Sequence, residues 1–392
     1  MRNAIIIQCA ALLLGLSLME ASQATGKTIR VNCAPPPNNH ADMLSGPPHQ
    51  LARALRIARP GDTIEVRGTC QEQVSVTFGP LTIDGGGEAV IDGSGISAQG
   101  QFNAVITIDG ARDVTLRGLN VRNGPDEGVL ATAGANLLLD DVVLENNGTG
   151  LLLFDAGAEI ADSAFRENAI AGLRGMAGSR VVFRGEIDSA DNELYGAFFH
   201  DTTITIMGTQ ARFRDNGVVG IVLDNSALVL PEDLPAATHN VLEATGNLDS
   251  GIFIATGRVV FSGDRSPHGS TLVRSADNGG PGILVVGGGL FANPFAAARV
   301  VLESNPVGMV VAENSSVISK GGLEISGNFG PGLVADAAGT IDLSAESPSF
   351  IDGNGGPDLV FEFGTRATIK DVAVGMLVCD PTALVRGTAA CP

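Results

Sequence analysis

A short apolar run recurs along the chain behind a fixed polar signature: an Asn, three residues, a Gly, then alternating apolar residues. It stands as Asn146…Gly150-Leu-Leu-Leu, Asn168…Gly172-Leu, Asn192…Gly196-Ala-Phe-Phe and Asn216…Gly220-Ile-Val-Leu. It returns as Asn247…Gly251-Ile-Phe-Ile, Asn278…Gly282-Ile-Leu-Val and Asn328…Gly332-Leu-Val-Ala. Asn123…Gly128 and Asn305…Gly308 have other gaps, and Asn354…Asp358 replaces the Gly. The Asn-to-Asn steps are 23, 22, 24, 24, 31, 31, 27, 23 and 26 residues. A period of this size predicts a solenoid. Within one unit, Gly220-Ile-Val-Leu is followed by Ala227-Leu-Val-Leu and a further run ending at Gly246-Asn247. No unit holds an amphipathic run long enough for a helix, which excludes helical repeats and helix-bearing horseshoes. Three short strands per turn predict a parallel β-helix, with each strand bonded to its counterpart one coil away at ~4.8 Å. Stacked Asn side chains suit its turns, because Asn bonds local backbone and tolerates the left-handed conformation.

The opening stretch adds Gln50-Leu-Ala-Arg-Ala-Leu, Arg59-Pro-Gly-Asp-Thr-Ile-Glu-Val-Arg-Gly and Leu81-Thr-Ile-Asp-Gly-Gly-Gly. With the repeated coils it resembles the right-handed parallel β-helix proteins of the pectate-lyase-like superfamily, over residues 28–378. The resemblance implies a capping helix and the first coils in this stretch. It does not choose an activity, because the fold hosts lyases, hydrolases, epimerases and proteins without catalysis. The expectation is an all-β chain: a single-stranded right-handed parallel β-helix of about a dozen coils, ~55–60 Å long. Both ends of such a helix expose strand edges and apolar interior, so both need caps. Residues 47–58 suit the first, with Leu51, Leu55 and Ala58 on one helical face and Pro60-Gly61 as its stop. The expected layout is a signal peptide over 1–24, an N-terminal cap and first coil over 25–75, the β-helix over 76–378 and a capping loop over 379–392.

Arg2, an apolar run over 4–19 and small residues at Ser22 and Ala24 predict a secretory signal, hence a secreted or periplasmic protein. No later apolar stretch reaches the ~18 residues of a membrane span, so no transmembrane segment is expected. Cys33, Cys70, Cys379 and Cys391 remain after cleavage. An even number in an exported chain predicts two disulfides, with three pairings open. Their placement at the two ends favours Cys33–Cys70 and Cys379–Cys391. The net charge is -19 and only Lys27, Lys320 and Lys370 are lysines, which excludes a nucleic-acid footprint. Trp is absent and Tyr195 is the single tyrosine, which removes the usual platforms for sugar rings. The charge also opposes acidic polymers.

The signatures of polygalacturonase-like hydrolases (Asn-Thr-Asp, a paired Asp-Asp, Gly-His-Gly, Arg-Ile-Lys) do not occur in that order, and Asp-Pro-His is absent. No nucleophile elbow, zinc-protease, phosphate-loop or paired-cysteine motif is present either. Coil equivalence permits a second search. The first and third residues after the repeat Gly face inward, so the second faces out. Along the chain that position carries Leu130, Leu152, Arg174, Phe198, Val222, Phe253, Leu284, Val310, Val334 and Val360. A solvated face would be polar, so this stripe predicts a covering partner, with Phe198 and Phe253 as binding residues. Arg174, His200, Asp201 and Asp224 fall on three successive coils within ~10 Å, a candidate acid–base set for an acidic sugar. The long steps mark insertions at 231–239 and 262–270, which place His239 and His268, with Asp233 and Asp264, as further binding candidates. A third insertion lies at 287–298. No metal site and no cofactor are expected, with Ca²⁺ entering only if the chain is a lyase. The favoured reading is an exported, non-catalytic scaffold or binding protein of the cell envelope or exterior, meeting a polysaccharide or protein on its apolar stripe. The alternative is a lyase-type enzyme acting on an acidic polysaccharide.

Overall fold

A computed structural model describes residues 26–33, 50–95, 103–231, 239–262, 270–293, 298–388 and 391. Each repeat folds as one coil of a right-handed parallel β-helix. The coil beginning at Tyr195 shows how the sequence dictates this. Tyr195–His200 is a strand with Ala197 and Phe199 fully inside and Phe198 outside. Asp201 then takes a left-handed turn at φ 52°. Thr203–Arg214 follows as a long strand that bends at Gly208, φ 62°, where a side chain would be strained. Asp215 makes a second left-handed turn, and Asn216 leads into the next coil.

The first strand of each coil joins a 13-stranded sheet. The remaining runs join a 23-stranded sheet, because strands such as Gly157–Arg166 and Arg180–Ala190 turn a corner without breaking. The register shifts at that corner, between Ala161 and Ser163 and between Phe183 and Gly185. Every pairing between these strands is parallel and links equivalent residues of neighbouring coils. At ~4.8 Å per strand, 13 strands span roughly 60 Å.

The interior is a stack of apolar rows. Leu151, Leu173, Ala197, Ile221, Ile252, Ile283, Met309, Leu333 and Leu359 are all at most 1% exposed. Phe183 meets Phe213 edge-on at 6.3 Å, and Phe261 meets Phe291 at 5.9 Å. Each such side chain contributes about 1.5–3 kcal/mol by leaving water.

A ladder of Asn closes one corner. Its members are Asn147, Asn168, Asn192, Asn216, Asn247, Asn278, Asn305, Asn328 and Asn354. Each but the last donates its backbone N–H and its side-chain Nδ2 to the Oδ1 of the next Asn, as Asn168 does to Asn192 at 3.1 and 2.9 Å. Nδ2 also reaches a backbone carbonyl of the preceding coil, as from Asn168 to Leu144 at 3.2 Å. Two expected members are corrected: Asn147, not Asn146, enters the ladder, and Asn123 lies in the left-handed turn at φ 59° while the Gly124 N–H takes the ladder position on Asn147. Asn146 occupies the left-handed turn just before Asn147, φ 55°, where other coils place Glu167, Asp191 or Asp215.

At the N-terminal end, helix α1 (Gln50–Ile57) buries Leu51, Ala54 and Leu55 against the first coils. Its first turn is capped from a distance. The Glu72 carboxylate accepts the Leu51 N–H at 2.8 Å and the Ala52 N–H at 2.9 Å, satisfying two donors that a helix start leaves open. Disulfides join Cys33 to Cys70 and Cys379 to Cys391, the pairing that their terminal placement favours. The expected signal segment, 1–24, lies outside the described residues. Among the described residues, no helix is long and apolar enough to cross a membrane.

Candidate functional site

The outer face of the 13-stranded sheet carries the stripe in strict register. Ser75, Thr107, Leu130, Leu152, Arg174, Phe198, Val222, Phe253, Leu284, Val310, Val334, Val360 and Val378 pair one to the next. Parallel pairing with no register slip puts these side chains in one row. The row is not uniformly open. Leu130, Leu152 and Val222 are buried, while Phe198, Phe253 and the row from Leu284 to Val360 are half-buried. Leu130 and Leu152 owe their burial to a small apolar cluster outside the barrel, formed with Ala104 and flanked by Met176.

Arg174 sits beside that cluster. Its guanidinium lies over the Phe198 ring, 5.9 Å from the centroid, and Nη2 approaches the Met176 sulfur at 3.8 Å. Tyr195 packs against Phe198 at 5.5 Å between centroids. The structure therefore gathers Arg174, Tyr195 and Phe198 into one patch.

His200, Asp201 and Asp224 form a separate patch at the turn end of the same strands. His200 Nδ1 lies 2.8 Å from Asp224, and Nε2 lies 3.3 Å from Asp201. Asp224 also accepts the Thr256 hydroxyl at 3.2 Å, and Asp201 accepts the Asn225 amide. Both imidazole nitrogens thus lie beside carboxylates, with the hydrogen bond made by Nδ1. Arg174 makes no ion pair or hydrogen bond with these three. Beside them runs an open groove of ≈ 490 Å³, lined by Asp201, Asn225, Thr256, Arg258 and Gly288 among others.

His239 starts the strand His239–Thr245 in the 23-stranded sheet, where it pairs with Ser270. It lies away from the stripe. His268, Asp233 and Asp264 lie outside the described residues. Phe253 stands in the stripe between Val222 and Leu284.

One residue escaped the sequence reading. Glu127 directly precedes the repeat Gly128. It is 7% exposed, and its Oε2 has no hydrogen-bond partner among the described residues. Burial pushes its pKa up to about 7; the neighbouring Asp126 adds to the rise and Arg174 opposes it. Asp126 accepts a hydrogen bond from the Asn103 amide at 2.9 Å. The signal was present in the sequence. Other coils place Thr149, Ala171, Tyr195, Val219, Ser250, Pro281, Val307, Pro331 and Pro357 before the repeat residue, and none is charged.

Among the described residues, one trio has donor atoms close enough to share a metal: Cys33, Cys70 and Glu72. The cysteines are joined in a disulfide and the carboxylate caps α1, so the trio is already committed.

Residues 103–260 match the family model described as right handed beta helix region. No curated protein matches the chain. Similar solved structures include pectate lyase Pel9A, 16% identical over 73% of this chain and 79% of that one, TM-score 0.47. The Azotobacter vinelandii mannuronan C-5 epimerase AlgE6 A-module is 13% identical over 86% and 93%, TM-score 0.46. PfbA, a surface adhesin of Streptococcus pneumoniae, is 12% identical over 78% and 80%, TM-score 0.32.

Proposed function

We propose that this right-handed β-helix is an exported binding protein that holds an extended polysaccharide along the outer face of its 13-stranded sheet without cleaving it. One observation carries this reading: the outward row stays apolar, in register, from Leu130 to Val378 with only Arg174 interrupting it. A straight row of half-buried side chains suits a linear partner better than a compact one. The stacked Arg174, Phe198 and Tyr195 give it a cation and an aromatic platform at one point. Two disulfides suit an oxidising compartment.

A second reading is favoured by Glu127 alone. A carboxyl that titrates near neutrality beside Arg174 is what proton transfer requires, and it supports a lyase-type activity on an acidic polymer. One experiment separates the two. Purified protein is run by affinity electrophoresis through neutral, acidic and amino polysaccharides, and the same polymers are assayed for unsaturated uronate by ultraviolet absorbance, with and without Ca²⁺. Retardation without new absorbance, lost in Phe253→Asp, is the expected result. Absorbance that disappears in Glu127→Gln would overturn the binding reading in favour of catalysis. Retardation by no polymer would overturn both.

A further inference from the structure

We propose that the N-terminal end of the solenoid is a docking surface for an anionic lipid bilayer, on which the β-helix stands end-on. This end is distinct from the outward row of the 13-stranded sheet, which stays free along its length.

Charge is segregated along the solenoid axis. Residues 26–67 hold six Lys or Arg against three Asp or Glu, net +3, while residues 68–392 hold 17 against 39, net -22. The basic residues sit on the outermost layer. Thr28–Asn32 is the terminal strand, paired with Thr63–Arg67, and α1 covers the end of the barrel beside it. Lys27, Arg30, Arg53, Arg56, Arg59 and Arg67 are all exposed. The described carboxylates nearby are committed. Asp62 accepts the backbone N–H groups of Lys27 and Arg59, Glu65 pairs with Arg30, and Glu72 caps α1. Among the described residues Arg53, Arg56 and Arg67 make no ion pair. Along the 23-stranded sheet, by contrast, arginines bridge to carboxylates of neighbouring coils, as Arg166 does to Glu145.

Helix α1 sets the chemistry of this end. Leu51, Ala54 and Leu55 are buried in the barrel, so the opposite face, with Arg53, Arg56 and Ile57 as helical neighbours, is held outward. Ile57 is 64% exposed. A groove of ≈ 510 Å³ runs between α1 and the terminal strand, lined by Arg30, Arg53, Arg56 and Ile57 among others. Unpaired guanidinium groups bond headgroup phosphates in a fork, and an exposed Ile suits the boundary with the acyl chains. The cations are not gathered around the groove alone, since Lys27, Arg59 and Arg67 do not line it. That spread over a strand, a loop and a helix matches a field of mobile headgroups better than one acidic peptide, whose charges would converge on the groove.

Screening makes the local charge decisive. At about 0.1 M salt a charge is felt over ~10 Å, about two coils. A bilayer at the N-terminal end therefore meets the basic layer, while most of the 39 carboxylates lie out of reach along the solenoid. Laid on its side, the same molecule would bring those carboxylates to the surface and be repelled. The orientation follows from the charge pattern: end-on, with the coils projecting away.

The test uses the mature chain without residues 1–24, so that the apolar run over 4–19 plays no part, and vesicles of phosphatidylcholine with or without phosphatidylglycerol. At about 0.1 M salt the protein should sediment with the anionic vesicles and not with the neutral ones; at about 1 M salt, where screening shrinks to ~3 Å, it should sediment with neither. Arg53→Gln and Arg56→Gln, at exposed positions, should each lower the partition coefficient about fivefold, as for one basic residue lost near an anionic surface. Arg180→Gln removes the same charge from an exposed site in mid-solenoid and should change it little. Circular dichroism should show all three variants folded as the wild type. Absence of binding to anionic vesicles, equal binding to neutral ones, or a loss in Arg180→Gln as large as in Arg53→Gln overturns the proposal. Polyglutamate is the competitor: if it strips the protein from anionic vesicles at equal charge concentration, the end takes an acidic segment in place of a bilayer and the lipid assignment falls. These outcomes are independent of polysaccharide retardation, which reads the other surface.

Discussion

Two carboxylates, one in each sheet of the barrel, show how differently this fold treats them. Asp92, in the 23-stranded sheet, is 5% exposed; Glu127, in the 13-stranded sheet, is 7% exposed. Burial alone would raise both. For Asp92 the rise is outweighed by hydrogen bonds from Ser94, Asn123 and Arg122, which hold it at about 2. For Glu127 nothing comparable is present, and it stands at about 7. The same contrast extends over the whole surface. Nine Arg–carboxylate pairs bridge neighbouring coils on the 23-stranded sheet, Arg117–Asp140 and Arg274–Glu303 among them. Among the described residues the 13-stranded sheet has none, and its outward row is apolar. Inside, both sheets present the same stacked Leu, Ile, Val and Phe. The interior is what the fold demands. The outer surface of one sheet is adapted to water, and that of the other departs from water for a reason the fold does not supply.

The largest effect tests the shared part. Asn216→Ala removes the acceptor for two donors of Asn192 and the donor to Asn247 and Ser189. Several buried groups lose partners, at about 1–3 kcal/mol each. Thermal unfolding should fall sharply, and both faces should melt together; a split transition would show that the two sheets are less coupled than the ladder implies.

Next come the two carboxylates, whose pH dependences have opposite sign. Asp92 has a folded value below its ordinary 3.8, so its stabilisation is present above that pH and is lost as pH falls through about 2. Glu127 has a folded value above its ordinary 4.5. Its protonated form stabilises fully below 4.5, and that contribution is lost as pH rises through about 7. Chemical denaturation from pH 2 to 8 should show Asp92→Asn destabilised most at neutral pH and Glu127→Gln relatively stabilised there. Parallel profiles for the two variants would erase the contrast.

The smallest effects concern the surface itself. Arg214→Ala breaks the two-point pair with Asp188 and should cost no more than about 1 kcal/mol, as exposed ion pairs do. It should leave polysaccharide retardation unchanged. Phe253→Asp should shift stability about as little and abolish retardation. If Arg214→Ala impairs binding as much, the partner does not choose between the sheets.

Much of the fold was legible because a solenoid repeats its errors as well as its rules. One correct reading of inward and outward positions in Tyr195–His200 served every coil, and the row from Leu130 to Val360 follows from counting alone. Spacing does not separate Asn146 from Asn147, because two Asn stand side by side and the coil after them is short. Only the backbone decides which takes the left-handed turn. The corner at Gly185 and Gly208 left no clear mark, since a bend inside a strand keeps its apolar alternation. The site was half legible. His200, Asp201 and Asp224 meet as coil equivalence suggests, but counting cannot reveal that the Nδ1 nitrogen is already bonded to Asp224. Glu127 stands in the column before the repeat Gly, outside the outward columns that follow it.

The Asn ladder also has a direction. Each amide donates toward the following coil, from the Gly124 N–H onto Asn147 at one end to Asn354 at the other. The side-chain dipoles therefore align head to tail along the ladder, with their positive ends toward the C-terminal coils. The last amide meets a carboxylate: Asn354 Nδ2 donates to Asp358 Oδ1 at 2.8 Å, at the one coil where Asp replaces the repeat Gly. What looks like a lapse in the repeat is a terminal anion on an aligned array of dipoles, as an acidic residue is at the start of an α-helix. Coils can be added or lost within such an array while the sense of donation is kept, but its last position is chemically marked.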